Sequence, residues 1–400
     1  MRILLLVDCY HPQPKSSATL IGDLAGEFLR RGHEPIVATP GPGQGPHIRS
    51  TVEDGFRVLR IRTPDIKRAS RIRRGVCEAR LSRTFWKRGR GFFRSNPCDL
   101  VVYYSPTIFF GPLVERLKRL WGCPSYLILR DIFPQWAIDA GILREGLVAR
   151  CFRHYERRQY RAADVIGVEC PANVRYFDRP ELAGRHKVEV LHNWARIDDA
   201  RRPPRDRPRE LPAEYADKVV FIYGGNIGVA QDMDNVLRLA QNVAGEPAIQ
   251  FLLVGDGSEA PRLRTAVRER GLANLAIRPP VNQATYRRML DEADVGLITL
   301  DAKLKTFNYP SKMLGYMDAG LPILGSVNPG NSLKELIEDA DAGRVRINGD
   351  DEGLRRAALE LATDAQLRRS AGENARRLLA GRFSAAAAAD TILAHAPNRT

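Results

Sequence analysis

The sequence predicts an α/β protein built from two doubly wound, Rossmann-like domains joined by a linker. Short apolar segments alternate with amphipathic stretches of helical period in residues 1–196, and the alternation restarts after residue 216. Between the two series, residues 201–212 read RRPPRDRPRELP and lack apolar periodicity, which is typical of a linker. The length of 400 residues also favours two domains over a single core.

The elements of the first domain follow from this alternation. Strands are predicted at residues 3–7, 35–38, 100–104, 126–129, 165–168 and 188–191. Helices are predicted at residues 20–31, 113–120 and 149–160, of which the last is strongly cationic. We therefore place the first domain at residues 1–196 and the linker at residues 197–216.

The second domain is predicted at residues 217–375. Its strands begin at residue 219 and continue at 249–254, 275–278, 295–300, 322–325 and 344–347. Its helices are expected at 233–241, 261–270, 283–292, 312–319, 332–340 and 352–362. Residues 376–400 are rich in Ala and Arg, and we expect a terminal helix that packs back on the first domain.

The net charge of +15 lies entirely in the first domain, where residues 1–196 hold 34 Lys and Arg against 19 Asp and Glu. The excess peaks at residues 57–94, where aromatic rings stand among the cations. This pattern favours an anionic membrane surface. The residues expected to face it are Arg73, Arg74, Phe85, Trp86, Lys87 and Arg88. Single-stranded nucleic acid is the rival partner, but no recognised nucleic-acid-binding motif accompanies the run, and an ordinary solvated face is a third interpretation.

Cysteine usage and hydropathy bear on location. The six cysteines are dispersed without a Cys-x-x-Cys pair, which favours reduced thiols in the cytosol. No stretch reaches the roughly 18 to 20 apolar residues of a membrane span, and the apolar start lacks a cleavage site. We expect a cytoplasmic protein that associates peripherally with the inner face of the plasma membrane.

Candidate ligand-binding residues follow the strands of the second domain. Ser311 and Lys312 open a helix behind Pro310, so amide groups and one ammonium could meet a diphosphate there. The glycine-rich turn at Gly225 and Asn226 allows close backbone approach. The alternatives remain open at this stage: Lys312 as a first-turn surface residue and the turn as purely structural. Asp256, after another strand, faces ligand hydroxyls or caps the next helix.

In the first domain, the loop with Ser16 and Ser17 follows the first strand, and Arg130 and Asp131 follow the strand at 126–129. We predict Asp131 and Arg130 as the catalytic pair, with Asp131 positioning an acceptor or stabilising positive charge. A structural pair or a helix cap is the alternative. The Asp232-Met233-Asp234 triplet lies at a predicted helix start, where acidic residues are favoured, so we expect no metal site.

These segments carry a family resemblance. MRILLLVDCYHPQ, LILRDIFPQWAIDAG, VLHNWARID, GGNIGVAQDMDNVL, VGDGSE, ADVGLITL and PSKMLGYMDAGLPIL resemble family 4 glycosyltransferases of the GT-B fold. They look most like the branch that builds O-antigen and capsule, including N-acetyl-L-fucosaminyltransferases.

The resemblance implies a retaining, metal-independent transfer from a nucleotide-diphosphate sugar, expected to be a UDP-sugar, to a lipid-linked glycan acceptor. The acceptor would bind to the first domain and the donor to the second. The donor-binding residues it implies are Ser16, Ser17, Gly225, Asn226, Gln231, Asp256, Val281, Ser311 and Lys312.

The sequence also departs from the family pattern. Two glutamates of the last family motif correspond here to Phe307 and Gly315, and two phosphate-binding cations correspond to Asn226 and Gln231. These losses keep two further hypotheses open. One is a soluble GT-B enzyme acting on a small sugar or nucleotide sugar, and the other is a catalytically silent binding protein.

Overall fold

The computed structural model describes residues 1–12, 16–64, 78–139, 141–197, 209–305 and 307–397. The chain forms two compact units: Met1–Arg196 with Ala385–Thr400, and Ile197–Ser384. Each unit is built on a sheet of mainly parallel strands with helices in the connections. The predicted fold class is therefore confirmed. Among the described residues, no helix combines the length and the apolar character that crossing a bilayer requires.

Unit 1 contains an eight-stranded sheet. Its strands are β1 (Arg2–Leu6), β2 (Glu34–Gly41), β3 (Ile48–Glu53), β4 (Phe56–Arg62), β5 (Leu100–Tyr104), β6 (Ser125–Leu129), β7 (Val165–Val168) and β8 (Val188–Val190). The spatial order is β3-β4-β2-β1-β5-β6-β7-β8, and only β3 pairs antiparallel, with β4. The helices are α1 (Ser16–Arg30), α2 (Leu81–Ser95), α3 (Gly111–Trp121), α4 (Gln135–Asp139), α5 (Leu147–Ala162) and α6 (Pro171–Val174).

Unit 2 contains a six-stranded, fully parallel sheet. Its strands are β9 (Val219–Asn226), β10 (Ile249–Asp256), β11 (Leu275–Arg278), β12 (Val295–Thr299), β13 (Ile323–Val327) and β14 (Gly343–Ile347). The helices are α7 (Met233–Asn242), α8 (Ala260–Glu269), α9 (Gln283–Glu292), α10 (Lys312–Ala319), α11 (Leu333–Glu338), α12 (Asp351–Thr363) and α13 (Ala365–Arg382). The order β11-β10-β9-β12-β13-β14 reverses direction at β9. The carboxyl end of β9 is therefore the topological switch point, where ligands bind in folds of this type.

The last helix, α14 (Ala385–Leu393), belongs to unit 1. Its apolar face joins the core formed with α1, where Ile392 and Phe28 are both fully buried. Arg31 anchors it by pairing with Asp390 and by donating a 3.0 Å hydrogen bond to the Ala386 carbonyl. The chain thus leaves unit 1, builds the whole of unit 2, and returns.

The antiparallel hairpin β3–β4 is absent from the sequence-based prediction. Its second strand reads FRVLRIR, and Phe56, Val58 and Ile61 are buried. Arg60 on this strand forms an ion pair with Glu53 of β3. Part of the supposed cationic surface is therefore a core strand, and one of its arginines, Arg60, is neutralised by the neighbouring strand.

The membrane-facing position predicted for Phe85 on α2 is wrong. Phe85 is completely buried, because Leu81, Phe85, Gly89 and Phe93 recur every four residues and form the inward stripe of the helix. Trp86 is half-buried against the same core, and the Arg116 guanidinium lies 5.7 Å from its ring centroid. Lys87 is exposed, and Arg88 turns back to the Arg62 carbonyl. Arg73 and Arg74 lie outside the described residues.

Candidate active site

The carboxyl ends of β9, β10 and β11 lie side by side at one edge of the unit 2 sheet. In the pairing register, Asp256 of β10 stands opposite Asn226 of β9, and both side chains are exposed. Val281 follows β11 at the same edge and keeps 38% of its surface exposed. The predicted donor-binding residues Asn226, Asp256 and Val281 are therefore brought to one edge.

Glycines bring the ends of β9 and β10 into direct backbone contact. A Cβ on Gly255 would lie 1.9 Å from the Gly225 carbonyl oxygen, so no side chain fits there. Gly225 has a φ of 124°, in the region that favours glycine. The structural requirement for these two glycines is thus explained without a ligand, while the exposed backbone of Gly225 remains accessible on the other side.

Lys312 projects over this turn from the start of α10. Its Nζ lies 3.5 Å from the ring centroid of Tyr223, and a Cβ on Gly225 would be 3.9 Å from the same nitrogen. No carboxylate lies within 4.0 Å of Lys312 among the residues that the structure describes. Burial lowers the pKa of Lys312 to about 7. Within the described ranges, the ammonium therefore has no neighbouring anion, and the face of Tyr223 stabilises its charge.

Two tyrosines bind the backbone of the glycine-rich turn next to Lys312. The Tyr223 hydroxyl donates to the Asn226 carbonyl at 2.5 Å, and the Tyr316 hydroxyl accepts from the Gly224 amide at 3.2 Å. Tyr316 lies on α10 itself and is fully buried, so it ties this helix to the end of β9. The position of Lys312 is therefore fixed by the backbone of the glycine turn.

The first turn of α10 begins at an exposed residue, Ser311. The amides of Ser311 and Lys312 have no hydrogen-bond acceptor within the described part of the chain, whereas Met313 already bonds to the Pro310 carbonyl. Free amides at a helix start attract anions. Ser311 and Lys312 together thus form a cationic and amide-rich corner beside Gly225.

The Asn226 and Gln231 side chains bind each other. Asn226 Nδ2 donates to Gln231 Oε1 at 3.0 Å, and the Gly228 amide donates to the same oxygen at 3.1 Å. Gln231 therefore shapes the turn after β9, and its contact with a donor remains a prediction. Asp256 does not cap α8, because the capping position is Glu259 and makes no side-chain cap bond.

The Asp232 and Asp234 side chains have separate partners. Asp232 adopts the left-handed conformation with φ 42° and accepts a 2.8 Å hydrogen bond from Asn348. Asp234 pairs with Arg262 at 2.9 Å. Asp232 and Asp234 therefore lie at the start of α7 and are bound by other residues of the unit.

Asp318, at the other end of α10, pairs with Arg287 at 3.3 Å, far from the Ser311 corner.

In unit 1, the predicted catalytic pair separates into two different environments. Arg130 is only 6% exposed, and its guanidinium donates to the Leu191 and His192 carbonyls at 2.5 and 3.1 Å. Its Cζ lies 5.3 Å from the Trp194 ring centroid. The Arg130 guanidinium therefore fixes the segment after β8, and these contacts give no support to the catalytic role predicted for it.

Asp131 differs from its neighbour. It is half-buried at the carboxyl end of β6, and its carboxylate has no hydrogen-bond or ion-pair partner among the described residues. Burial raises the pKa of this carboxyl group. A desolvated carboxylate without a protein partner can accept a ligand hydroxyl or face a developing positive charge.

Glu169 is a residue that the sequence analysis missed. It follows β7 at the same sheet edge, is 3% exposed, and accepts a 2.6 Å hydrogen bond from Asn193. Burial raises its pKa to about 7, while Arg130 opposes and Asp131 adds to the shift. The signal was available, because a charged residue directly after the buried strand VIGV is the pattern that singled out Asp131.

Ser16 and Ser17 open α1 after β1, so they lie in a helical turn instead of a loop. Ser17 is 7% exposed, and its contact with a donor remains a prediction. Residues 13–15 lie outside the described part. Tyr223 and Tyr316 were also missed, because nothing in a sequence shows that a strand tyrosine and a helix tyrosine meet under one lysine.

Two units built on mainly parallel sheets, as found here, are the domain composition of GT-B proteins. Residues 17–194 match the family described as "Glycosyl transferase 4-like domain", and residues 205–378 match "Glycosyl transferases group 1". Together these matches cover most of the chain. The chain therefore belongs to the group 1 glycosyltransferases that carry a 4-like amino-terminal domain.

Relatives and solved structures agree with this assignment. The chain is 28% identical over 232 residues to "Probable glycosyltransferase WbjE" of Pseudomonas aeruginosa, and the match spans 57% of each chain. WcaI of Escherichia coli, whose name includes "colanic acid biosynthesis glycosyl transferase", is 24% identical over 56% of each. The chain thus covers little more than half the length of these curated relatives. The structure of Anabaena HepE in complex with UDP and glucose has a TM-score of 0.62 at 15% identity, over 98% of both chains.

Proposed function

We propose that the protein transfers a sugar from a nucleotide diphosphate, specifically a UDP-sugar, to a hydroxyl of a lipid-linked glycan in polysaccharide biosynthesis. HepE, a protein of the same fold, was determined with UDP and glucose, and the names of WbjE and WcaI describe glycosyltransferases. These names support the class of donor and the general pathway. The acceptor, retention of configuration and contact with a membrane are parts of the proposal.

The main support for the donor proposal is that the Lys312 ammonium has no carboxylate partner among the described residues. A diphosphate beside Gly225 would meet this ammonium and the free amides of Ser311 and Lys312. The same groups would stabilise the negative charge that develops on the leaving diphosphate. The proposed reaction uses this corner, and no metal ion, for charge neutralisation.

Asp131 is the residue proposed to act at the acceptor side. In the transfer, the acceptor oxygen forms a bond to the anomeric carbon while the bond from that carbon to the diphosphate oxygen breaks. The acceptor proton passes to the departing diphosphate, so the charges balance. Asp131, whose carboxylate has no partner in the part of the chain that the structure describes, would hold the acceptor hydroxyl or face the positive charge on the sugar ring.

Calorimetric titration of the full chain with UDP, GDP and dTDP tests the donor site. We expect one nucleotide, UDP, to bind, and Lys312→Met to weaken it at least tenfold. Lys334→Met is the matched control, because Lys334 lies on α11 of the same unit and pairs with Glu338 at 3.8 Å. Equal binding by both variants would contradict the proposed site.

Transfer itself is measured with a radiolabelled UDP-sugar mixture and polyprenyl-diphosphate-linked glycans, with and without EDTA. Product formation that survives EDTA is the expected result. Tight UDP binding without transfer to any lipid-linked or free sugar acceptor would instead favour a silent binding protein, which is the hypothesis that Phe307 and Gly315 keep open.

A further inference from the structure

Large apolar side chains are exposed in one short part of unit 1. Trp136, Ile142, Leu147 and Val148 keep 40, 71, 80 and 59% of their surface exposed. They account for four of the nine large hydrophobic residues exposed among the described residues. Because single exposed apolar residues are ordinary and a concentration of them is not, this segment needs a partner. We call Trp136, Ile142, Leu147 and Val148 the apolar patch.

The apolar patch comprises Trp136 of α4, Ile142 between the two helices, and Leu147 and Val148 at the start of α5. The Ile142 amide donates to the Ala137 carbonyl at 2.9 Å, which folds the chain back on α4. Arg153 of α5 donates to Gln135 at 2.8 Å, and the rings of Phe133 and Phe152 are 5.0 Å apart. These contacts hold α4 against α5, so the exposed apolar side chains extend from a packed part of unit 1.

Helix α5 carries a cationic face next to the patch. Its sole acidic residue, Glu156, is 3% exposed and accepts hydrogen bonds from Tyr160 and Tyr176 inside the unit. Arg150, Arg157 and Arg161 are exposed, and none has a carboxylate within 4.0 Å in the described part of the chain. No exposed acidic side chain on α5 therefore offsets the charge of these three arginines.

Apolar side chains beside unpaired arginines match the boundary of an anionic bilayer, where apolar groups enter the acyl region and cations meet the headgroups. We propose that the apolar patch and the Arg150–Arg157–Arg161 face of α5 form the surface by which unit 1 binds anionic phospholipid. The inference rests on the lipid-linked acceptor of the proposed function, and it moves the membrane surface from α2 to the α4–α5 turn and α5.

Flotation of the full chain with vesicles tests the surface without donor or acceptor. Wild type should float with phosphatidylcholine vesicles containing 30% phosphatidylglycerol, should float at least tenfold less with pure phosphatidylcholine, and should be released by 1 M NaCl. Two double variants should each lower binding at least tenfold: Ile142→Ser with Leu147→Ser, and Arg150→Glu with Arg157→Glu.

Matched controls separate the surface from general effects. Val52→Ser removes a residue of unit 1 that is 73% exposed and lies away from the patch on β3, and it should float like wild type. Lys87→Glu tests the face first expected on α2 and should also leave binding unchanged. UDP titration of every variant should match wild type, so a loss of lipid binding is distinguishable from a failed donor site.

Three outcomes would overturn the inference. Wild type that does not float with anionic vesicles excludes the surface, and so does normal flotation of both double variants. A patch variant that changes from dimer to monomer in light scattering, with wild type indifferent to lipid, would assign the patch to a second copy of the chain. The emission of Trp136 gives an independent readout: it should shift to the blue with anionic vesicles, and Trp136→Phe should abolish the shift.

Discussion

The ammonium of Lys312 lies 3.5 Å from the centre of the Tyr223 ring, with no anion of the protein beside it in the described structure. Burial disfavours the charged form of Lys312, and its pKa falls to about 7. An incoming diphosphate would supply the missing anion. The same relationship makes donor binding sensitive to pH.

The affinity for a UDP-sugar should fall as the pH rises above 7. Below pH 7 Lys312 is charged before the donor arrives, whereas above pH 7 a proton must be taken up on binding, so Kd should rise by up to about tenfold per pH unit. A UDP-sugar has no phosphate group that titrates in this range. Titration calorimetry from pH 6 to 9 measures the slope. Lys312→Arg keeps its charge throughout and should flatten the profile; an unchanged slope in this variant would assign the dependence to another group.

Gly255→Ala should both destabilise unit 2 and weaken donor binding. The new methyl group would lie 1.9 Å from the Gly225 carbonyl oxygen, a backbone atom that can move only if the strand ends separate. We expect a loss of about 1–3 kcal/mol or more in the free energy of unfolding, measured in urea. Gly245→Ala is the control, since no atom lies within 4 Å of its added Cβ. Equal stability of both variants would show that the strand ends are not packed as described.

Asp131→Asn should reduce kcat at least about 100-fold while leaving the Kd for UDP and the melting temperature nearly unchanged. The melting temperature should change little because burial already disfavours the charged form of Asp131, which the asparagine removes. Arg130→Met should show the opposite pattern, since it leaves the Leu191 and His192 carbonyls unpaired and should cost about 1–3 kcal/mol of stability. Full turnover in Asp131→Asn would remove this residue from the mechanism.

Glu169 should make unit 1 less stable as the pH rises. Its pKa is about 7 in the folded protein and 4.5 as its ordinary value, so the native state binds the proton more tightly. The stabilising contribution is complete below pH 4.5 and is lost as the pH rises towards and through 7. Glu169→Gln keeps an acceptor for Asn193, and between pH 5 and 8 it should gain on the order of 3 kcal/mol relative to wild type.

The measurement for Glu169 is urea unfolding at several pH values, followed by the fluorescence of buried Trp194 in unit 1. Glu181→Gln, which removes an exposed carboxylate of the same unit, controls for the loss of one charge. Parallel pH profiles for wild type and Glu169→Gln would show that Glu169 ionises normally. Its environment includes the Arg130 guanidinium and the Asp131 carboxylate, which act in opposite directions.

Much of the fold could be predicted because buried parallel strands are short apolar runs with sharp ends. Strands β5, β7 and β11 and helices α9 and α10 begin and end where the sequence predicted. The exact sheet neighbours could not be predicted, because strand order depends on contacts between distant segments. The hairpin β3–β4 was missed since its arginines obscured an alternating apolar pattern, and one of those arginines is neutralised only by a residue on the partner strand.

The candidate site divides in the same way. That Asp131, Asp256 and Lys312 lie at strand ends or a helix start followed from local pattern alone. The sequence could not predict whether Arg130 or Asp131 points into unit 1, because consecutive residues after a strand point to opposite sides. Arg130 points inward because it bonds to the segment after β8, which is distant in sequence. For α2, the four-residue spacing from Leu81 to Phe93 is a signal of a buried stripe that the sequence interpretation did not use, because it gave weight to the high charge of this segment.

The return of α14 to unit 1 sets an order of events at the ribosome. The apolar side of α1, with Phe28, stays open until residues 385–393 have been synthesised, which follows the synthesis of the whole of unit 2. Unit 2 comes later in the sequence but has its whole core available earlier. Unit 1 therefore completes its packing after unit 2 has been synthesised, and until then its exposed apolar surface favours aggregation.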